Sequence, residues 1–168
     1  METTMSVERG AAHQTVADLA GKYLTFALGA EEYGVPVLKV REIIKVMDIT
    51  QVPQVPAHVR GVINLRGKVI PVIDLRLKFG LPSQAYTERT CIIVVDVMLA
   101  GAKAMLGIVV DSVSEVLNVS GGDIDDSPEF GDRVTTSYML GLAKIKGSVK
   151  ILLDLDCVLG ADAYLTTH

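Results

Sequence analysis

Three histidines and two cysteines are the side chains here best suited to nucleophilic, acid–base or metal chemistry, and they do not converge on any motif. His13 and His168 lie near the two ends, and His58 sits beside a proline-containing loop, where it reads as a surface residue rather than a general base. Cys91 and Cys157 fall inside the runs Thr90-Cys-Ile-Ile-Val-Val95 and Asp154-Leu-Asp-Cys-Val-Leu159, with no accompanying histidine motif. In such settings free cysteine behaves as a small buried hydrophobe. The chain has no Gly-x-Ser-x-Gly, no His-Glu-x-x-His and no Gly-x-x-x-x-Gly-Lys, the spacings that acyl transfer, zinc hydrolysis and phosphate binding need. The acidic stretch Asp123-Ile-Asp-Asp126, with Glu129 and Asp132, lacks the ligand spacing and central glycine of an EF-hand loop. It reads as a solvated loop. The expectation is therefore no catalytic residues, no metal and no cofactor, with function carried by surfaces.

Composition narrows the class of surface. The chain has 168 residues and 49% hydrophobic content, enough for a sizeable core in one domain or two small lobes. Aromatic content is 5% and there is no Trp, so the core must be aliphatic. Enrichment in Val and Ile favours strands. A net charge of −4 argues against a phosphate-neutralising surface, and few aromatics argue against base stacking. Two cysteines make no disulfide framework, which suits a reducing cytosol. The N-terminal stretch has no apolar signal-peptide core, and no apolar run is long enough to span a bilayer.

The chain repeats itself. Tyr33-Gly-Val-Pro-Val-Leu-Lys-Val-Arg-Glu-Ile-Ile44 aligns with Leu106-Gly-Ile-Val-Val-Asp-Ser-Val-Ser-Glu-Val-Leu117, with Gly34 on Gly107 and Glu42 on Glu115, an offset of 73. Gly61-Val-Ile-Asn-Leu-Arg-Gly67 aligns with Gly141-Leu-Ala-Lys-Ile-Lys-Gly147 at an offset of 80, which persists through Asp74/Asp154 and Gly80/Gly160. The 7 extra residues of the second half fall in the polar stretch Ser120 to Arg133. Two copies of one unit predict two similar lobes.

Each unit reads as short strands separated by glycine turns, the pattern of small barrels. Tyr23 to Leu28 alternates as a half-buried strand, and Tyr33 to Val37 completes a hairpin with it. Leu38 to Ile43 fits either one or two helical turns or a bent strand. Val52-Pro-Gln-Val-Pro56 reads as an ordered loop, because proline has no ladder donor. Gly61–Leu65 and Lys68–Ile73 form a hairpin around Arg66-Gly67, and Pro71 places the second strand partly at an edge. Asp74 caps a short helix over Leu75–Phe79, closed by Gly80. In the second half Thr90–Val97 is a strand covered on both faces, followed by strands at Leu106–Val113, Gly141–Ile145 and Val149–Leu153.

Phe26-Ala-Leu-Gly29, Glu32-Tyr-Gly34, Val40-Arg-Glu-Ile43, Gly61-Val-Ile-Asn-Leu-Arg-Gly67, Pro71-Val-Ile-Asp-Leu75, Gly107-Ile-Val-Val-Asp111 and Gly141-Leu142 together resemble the CheW family, in order and over residues 22–160. The resemblance implies a mainly β fold of two intertwined SH3-like five-stranded β-barrels with short helices. The repeats would be barrels of about residues 22–82 and 90–160, possible partners in strand exchange, between a flexible tail at 1–21 and a C-terminal tail at 161–168. It also implies a non-catalytic adaptor that couples the cytoplasmic tips of chemoreceptors to the regulatory domain of the CheA histidine kinase. The chain leaves no room for kinase, phosphotransfer or receiver domains. A cytoplasmic protein is implied, monomeric when free and recruited to receptor arrays.

Carried over residue by residue, the resemblance places receptor binding at Val40, Glu42, Arg66 and Val116. Kinase binding falls at Ile49, Val59, Arg60 and Phe130. By pattern alone, Val40 and Val116 fit core positions, Arg66 and Glu42 an exposed surface pair, the 49–60 stretch a barrel-closing loop, and Phe130 a loop anchor. A CheW-like adaptor in another kinase array, such as one for surface motility, is the alternative pathway. A barrel enzyme without a recognised site is the alternative class.

Overall fold

A computed structural model describes residues 19–125 and 138–166. Among the described residues eleven strands run in chain order: β1 Gly21–Leu28, β2 Glu31–Pro36, β3 Val40–Lys45, β4 Val59–Leu65, β5 Lys68–Asp74, β6 Cys91–Leu99, β7 Ala102–Val110, β8 Ser112–Val119, β9 Ile124–Asp125, β10 Met139–Ile145 and β11 Ser148–Leu153. Two short helices, α1 (Leu75–Lys78) and α2 (Leu155–Val158), follow β5 and β11. Segment 38–43, which fits helix or strand by pattern, is part of each: a 3₁₀ turn at Val37–Lys39 runs into β3. The strand expected over 106–113 is instead two, broken at Asp111, whose carboxylate accepts from Gly29 N at 2.8 Å and from Arg76 at 2.8 Å.

The strands form two sheets, ordered β8-β1-β2-β11-β10-β9 and β3-β6-β7-β5-β4. The β1–β2 hairpin of the first half therefore sits among strands of the second, and the β6–β7 hairpin sits among strands of the first. Both insertions are made by a parallel junction in equivalent register, Gly34 beside Leu152 and Gly107 beside Val72. Two intertwined lobes are the result. One sheet has six strands rather than the expected five, because β9 pairs with β10. Its counterpart is a single bridge, Thr50 to Val62, which ties the chain after β3 onto β4. Gly61 makes that bridge possible. A Cβ there would lie 2.0 Å from Thr50 O, and φ is +136°.

The exchange divides the apolar residues into three cores. Ile63, Ile70, Val72, Ile92, Val94 and Val109 fill one lobe. Tyr23, Val119, Ala143 and Leu152 fill the other. Between them lies a larger shared core with Leu24, Phe26, Leu28, Ile93, Val95 and Leu106. Strand β6 behaves as expected, buried on both faces. Strand β1 was expected to be half-buried and is not: Tyr23, Leu24, Thr25 and Phe26 are all buried. Its Tyr23 face lines a lobe, and its Leu24 face lines the shared core. The one polar intruder, Thr25, is satisfied by both backbone groups of Glu115 across a β-bulge, at 3.0 and 3.2 Å.

Local chemistry holds the ends. Asp74 caps α1 by accepting from Arg76 N at 3.0 Å and Leu77 N at 3.4 Å. Pro71 faces β4, and pairing of β5 with β7 starts only at Val72, so the proline falls on the one-sided part of its strand. After α2 the chain continues as a 3₁₀ helix over Gly160–Thr166. Asp162 in it is buried and bridges two side chains of the first half, His58 Nε2 at 2.8 Å and Lys78 Nζ at 2.9 Å. His58 is accordingly half-buried, not the solvated residue expected.

Breaking a buried ion pair by removing one partner leaves the other charge unpaired. Asp162→Ala should lower unfolding stability by about 3 kcal/mol in urea denaturation. The paired change Asp162→Leu with Lys78→Met should cost less than Asp162→Ala alone. Stability within about 0.5 kcal/mol of wild type for Asp162→Ala would show that the cluster is not holding the C-terminal helix.

Candidate protein-binding surfaces

Three of the four expected receptor residues fall on edge strands, Val40 and Glu42 on β3 and Val116 on β8. Val40 begins β3, opposite Val95, and packs half-buried against the shared core. Ile43, on the same strand, stands opposite Ile93 and stays exposed. In β8, Val113 packs on the shared core, while Val116, opposite Leu24, is 55% exposed. The core reading of Val116 therefore fails. Its strand has β1 on one side and, among the described residues, no ladder on the other. Val40, Ile43, Val113 and Val116 occupy equivalent places in the two repeats, so apolar side chains border the shared core on both edge strands.

Glu42 lies opposite Val94, on the other face of β3 from Ile43, and its carboxylate pairs with the Arg66 guanidinium. Arg66 sits at the tip of the β4–β5 hairpin with φ 51°, followed by Gly67 at 88°. Two successive positive φ values define a type I′ turn. Asn64 Oδ1 accepts from Gly67 N at 2.8 Å and braces it. The turn thus projects a charged group toward β3. Because Arg66 is largely exposed, the pair adds little stability.

Periodicity missed Leu38, which is 96% exposed in the 3₁₀ turn just before Val40. Asp156 pins that turn, accepting from Lys39 Nζ at 3.2 Å and from Met98 N at 3.0 Å. Leu38 and the half-exposed Met98 border one shallow depression. The available signal was an apolar residue at a position too short for a helix to bury.

The expected kinase residues behave differently from one another. Ile49, Val59 and Arg60 come together around a depression of about 400 Å³, with Val52, Val55 and Pro56. Ile49 packs on the first lobe's core, and Val59 is only 6% exposed, forming the depression's floor. Val52 is the apolar residue on the open side. The Arg60 guanidinium lies over the Tyr86 ring, 5.4 Å from its centroid. Phe130 lies outside the described residues, as does the acidic stretch beyond Asp125.

Reactive chemistry is not assembled at any of these places. Cys157 is exposed, but burial, then the neighbouring Asp154 and Asp156, push its thiol up to about 11, so it stays protonated near neutral pH. Among the described residues, no three His, Cys, Asp or Glu side chains are placed to hold a metal ion. No helix there is long and apolar enough to cross a membrane.

The CheW-like domain family matches residues 22–163. The chain is 39% identical to Chemotaxis protein CheW of Klebsiella aerogenes over 153 residues, covering 88% of this chain and 90% of that one. The structure resembles the scaffolding protein TtCheW from Thermoanaerobacter tengcongensis, with a TM-score of 0.72 and 34% identity, covering 84% of this chain and 93% of that one. Protein FrzA of Myxococcus xanthus is 28% identical over 76% of each chain. With the family matched from the start of β1 to the C-terminal 3₁₀ helix, the chain belongs to the CheW family of chemotaxis scaffold proteins.

Proposed function

We propose that this protein is a non-catalytic, cytoplasmic adaptor, monomeric when free, that couples chemoreceptor signalling tips to the regulatory domain of a CheA-type histidine kinase. The observation that carries this reading is the separation of two surfaces on one rigid fold. Exposed apolar residues with the Glu42–Arg66 pair lie on and beside β3 and β8, and a distinct depression is lined by Ile49, Val52, Val59 and Arg60. Apolar contact area with a charged group setting register suits the helical hairpin of a receptor tip. Val40, Glu42, Arg66 and Val116 are assigned there, together with Leu38 and Ile43. An apolar depression with a polar rim suits the kinase domain, to which Ile49, Val59, Arg60 and Phe130 are assigned. Holding both partners on one scaffold raises their effective concentration and lets receptor state bias kinase activity. The 28% match to Protein FrzA is compatible with a second reading, in which the same kind of adaptor serves a different kinase array.

Kinase autophosphorylation with receptor fragment and adaptor together tests the reading directly. A rise that needs all three components supports coupling, and sedimentation of the adaptor with neither partner overturns it. Arg66→Glu should keep the wild-type melting temperature, since the pair it breaks is exposed, yet weaken receptor binding about tenfold. An unchanged receptor affinity would remove Arg66 and Glu42 from the contact. On the other surface, Val52→Asp is preferable to a change at the buried Val59. It should weaken binding of the kinase regulatory domain about tenfold in calorimetry. Wild-type affinity there would move the kinase contact elsewhere.

A further inference from the structure

We infer that Tyr86, in the segment joining the two repeats, is the positioning residue for Arg60, and that the guanidinium so held is aimed at a carboxylate of the kinase partner. The inference rests on the reading of this depression as the kinase-facing surface.

Four observations converge on it. Arg60 is the extra residue of a β-bulge: Val59 pairs with Ile73 and Gly61 with Val72, leaving Arg60 between them. Bulges re-aim a side chain out of the sheet's alternation. The second repeat has the same bulge, between Met139 and Gly141, but places Leu140 there, which packs on its lobe's core. One backbone device thus presents a cation in one half and a core residue in the other. Second, Tyr86 is itself fixed. Its hydroxyl donates to Asp74 Oδ2 at 3.1 Å, and Asp74 is the buried cap of α1. Burial, then Asp74, raises its phenol above the ordinary range, with Arg60 opposing, so the phenol remains a neutral donor. Third, the guanidinium lies 5.4 Å from the ring centroid, within cation–π range. A guanidinium seated over a ring keeps N–H donors for a planar acceptor, and its fork pairs with a carboxylate in two-toothed fashion. Fourth, among the described residues lining the depression, Arg60 alone carries a charge, and no carboxylate there neutralises it. An apolar hollow with one oriented cation fits an apolar side chain flanked by Asp or Glu.

Calorimetry with the full chain and the kinase regulatory domain, at low and high salt, tests this. Arg60→Ala should weaken binding about tenfold and flatten its salt dependence. Tyr86→Leu should weaken it about fivefold, also with a flatter salt dependence. Tyr86→Phe, which keeps the ring but loses its tether to Asp74, should weaken binding less than Tyr86→Leu. The double variant Arg60→Ala with Tyr86→Leu should be no worse than Arg60→Ala. Arg60→Lys, a surface change that leaves the core alone, keeps the charge but loses the planar stack, and should still weaken binding. If Arg60→Ala weakens binding while Arg60→Lys and Tyr86→Leu do not, or if the double loss is additive, the positioning role is wrong and the surface assignment stands. If neither Arg60→Ala nor Val52→Asp changes affinity, the surface assignment falls, and this inference with it.

Discussion

The exchange of leading hairpins is the constraint on which the rest of this molecule depends. Strands β1 and β6 each line the interior of one lobe on one face and the shared core on the other. Most apolar residues on those two strands are thereby buried, with Met98 of β6 left half-exposed, and neither repeat has a complete barrel without the other. The parallel junctions, Gly34 beside Leu152 and Gly107 beside Val72, are the joints of this exchange. Glycine at each joint keeps the packed interior close. A Cβ on Gly107 would meet Ile92 at 2.8 Å.

A rigid double lobe leaves its edges as the sites of variation. Strands β3 and β8 are the equivalent outer strands of the two repeats, and both carry partly exposed apolar residues beside the shared core. The halves differ in what surrounds them. After β3 the chain crosses to β4 through one bridge and then loops through Val52–Pro56, whereas after β8 it turns at Ser120–Asp123 and adds β9. The depression that takes up Ile49, Val52 and Arg60 exists on the first half because of that loop. Duplication with divergence of loops gives one fold two unlike surfaces, which is the property an adaptor needs.

Polar groups inside the fold are few, and each has a structural task. Asp74 caps α1 and holds Tyr86. Thr25 fills the β8 bulge. Asp162 joins the C-terminal 3₁₀ helix to His58 and Lys78, three residues that are remote in sequence. His58 directly precedes Val59 and Arg60, so the C-terminal helix braces the strand entry that carries the candidate kinase surface.

The repeat, the aliphatic strand-rich composition, the Asp74 cap and the Arg66-Gly67 turn were all legible in the sequence, because each depends on residues close together in the chain. So was the membership of Ile49, Val59 and Arg60 in one stretch, and of Val40 with Glu42. Tertiary structure decided the rest. Tyr23–Leu28 alternates as though half-exposed, yet all of it but the half-buried Ala27 is buried, because its second face is covered by strands from the other repeat. Val116 reads as core and is exposed, because its strand ends a sheet and no sequence pattern marks an edge. His58 and Asp162 read as a surface residue and part of a tail, and only the folded chain brings them within 2.8 Å. Periodicity reports which side of a strand is apolar; which neighbour covers that side is a long-range property, set here by two hairpins that cross from one repeat into the other.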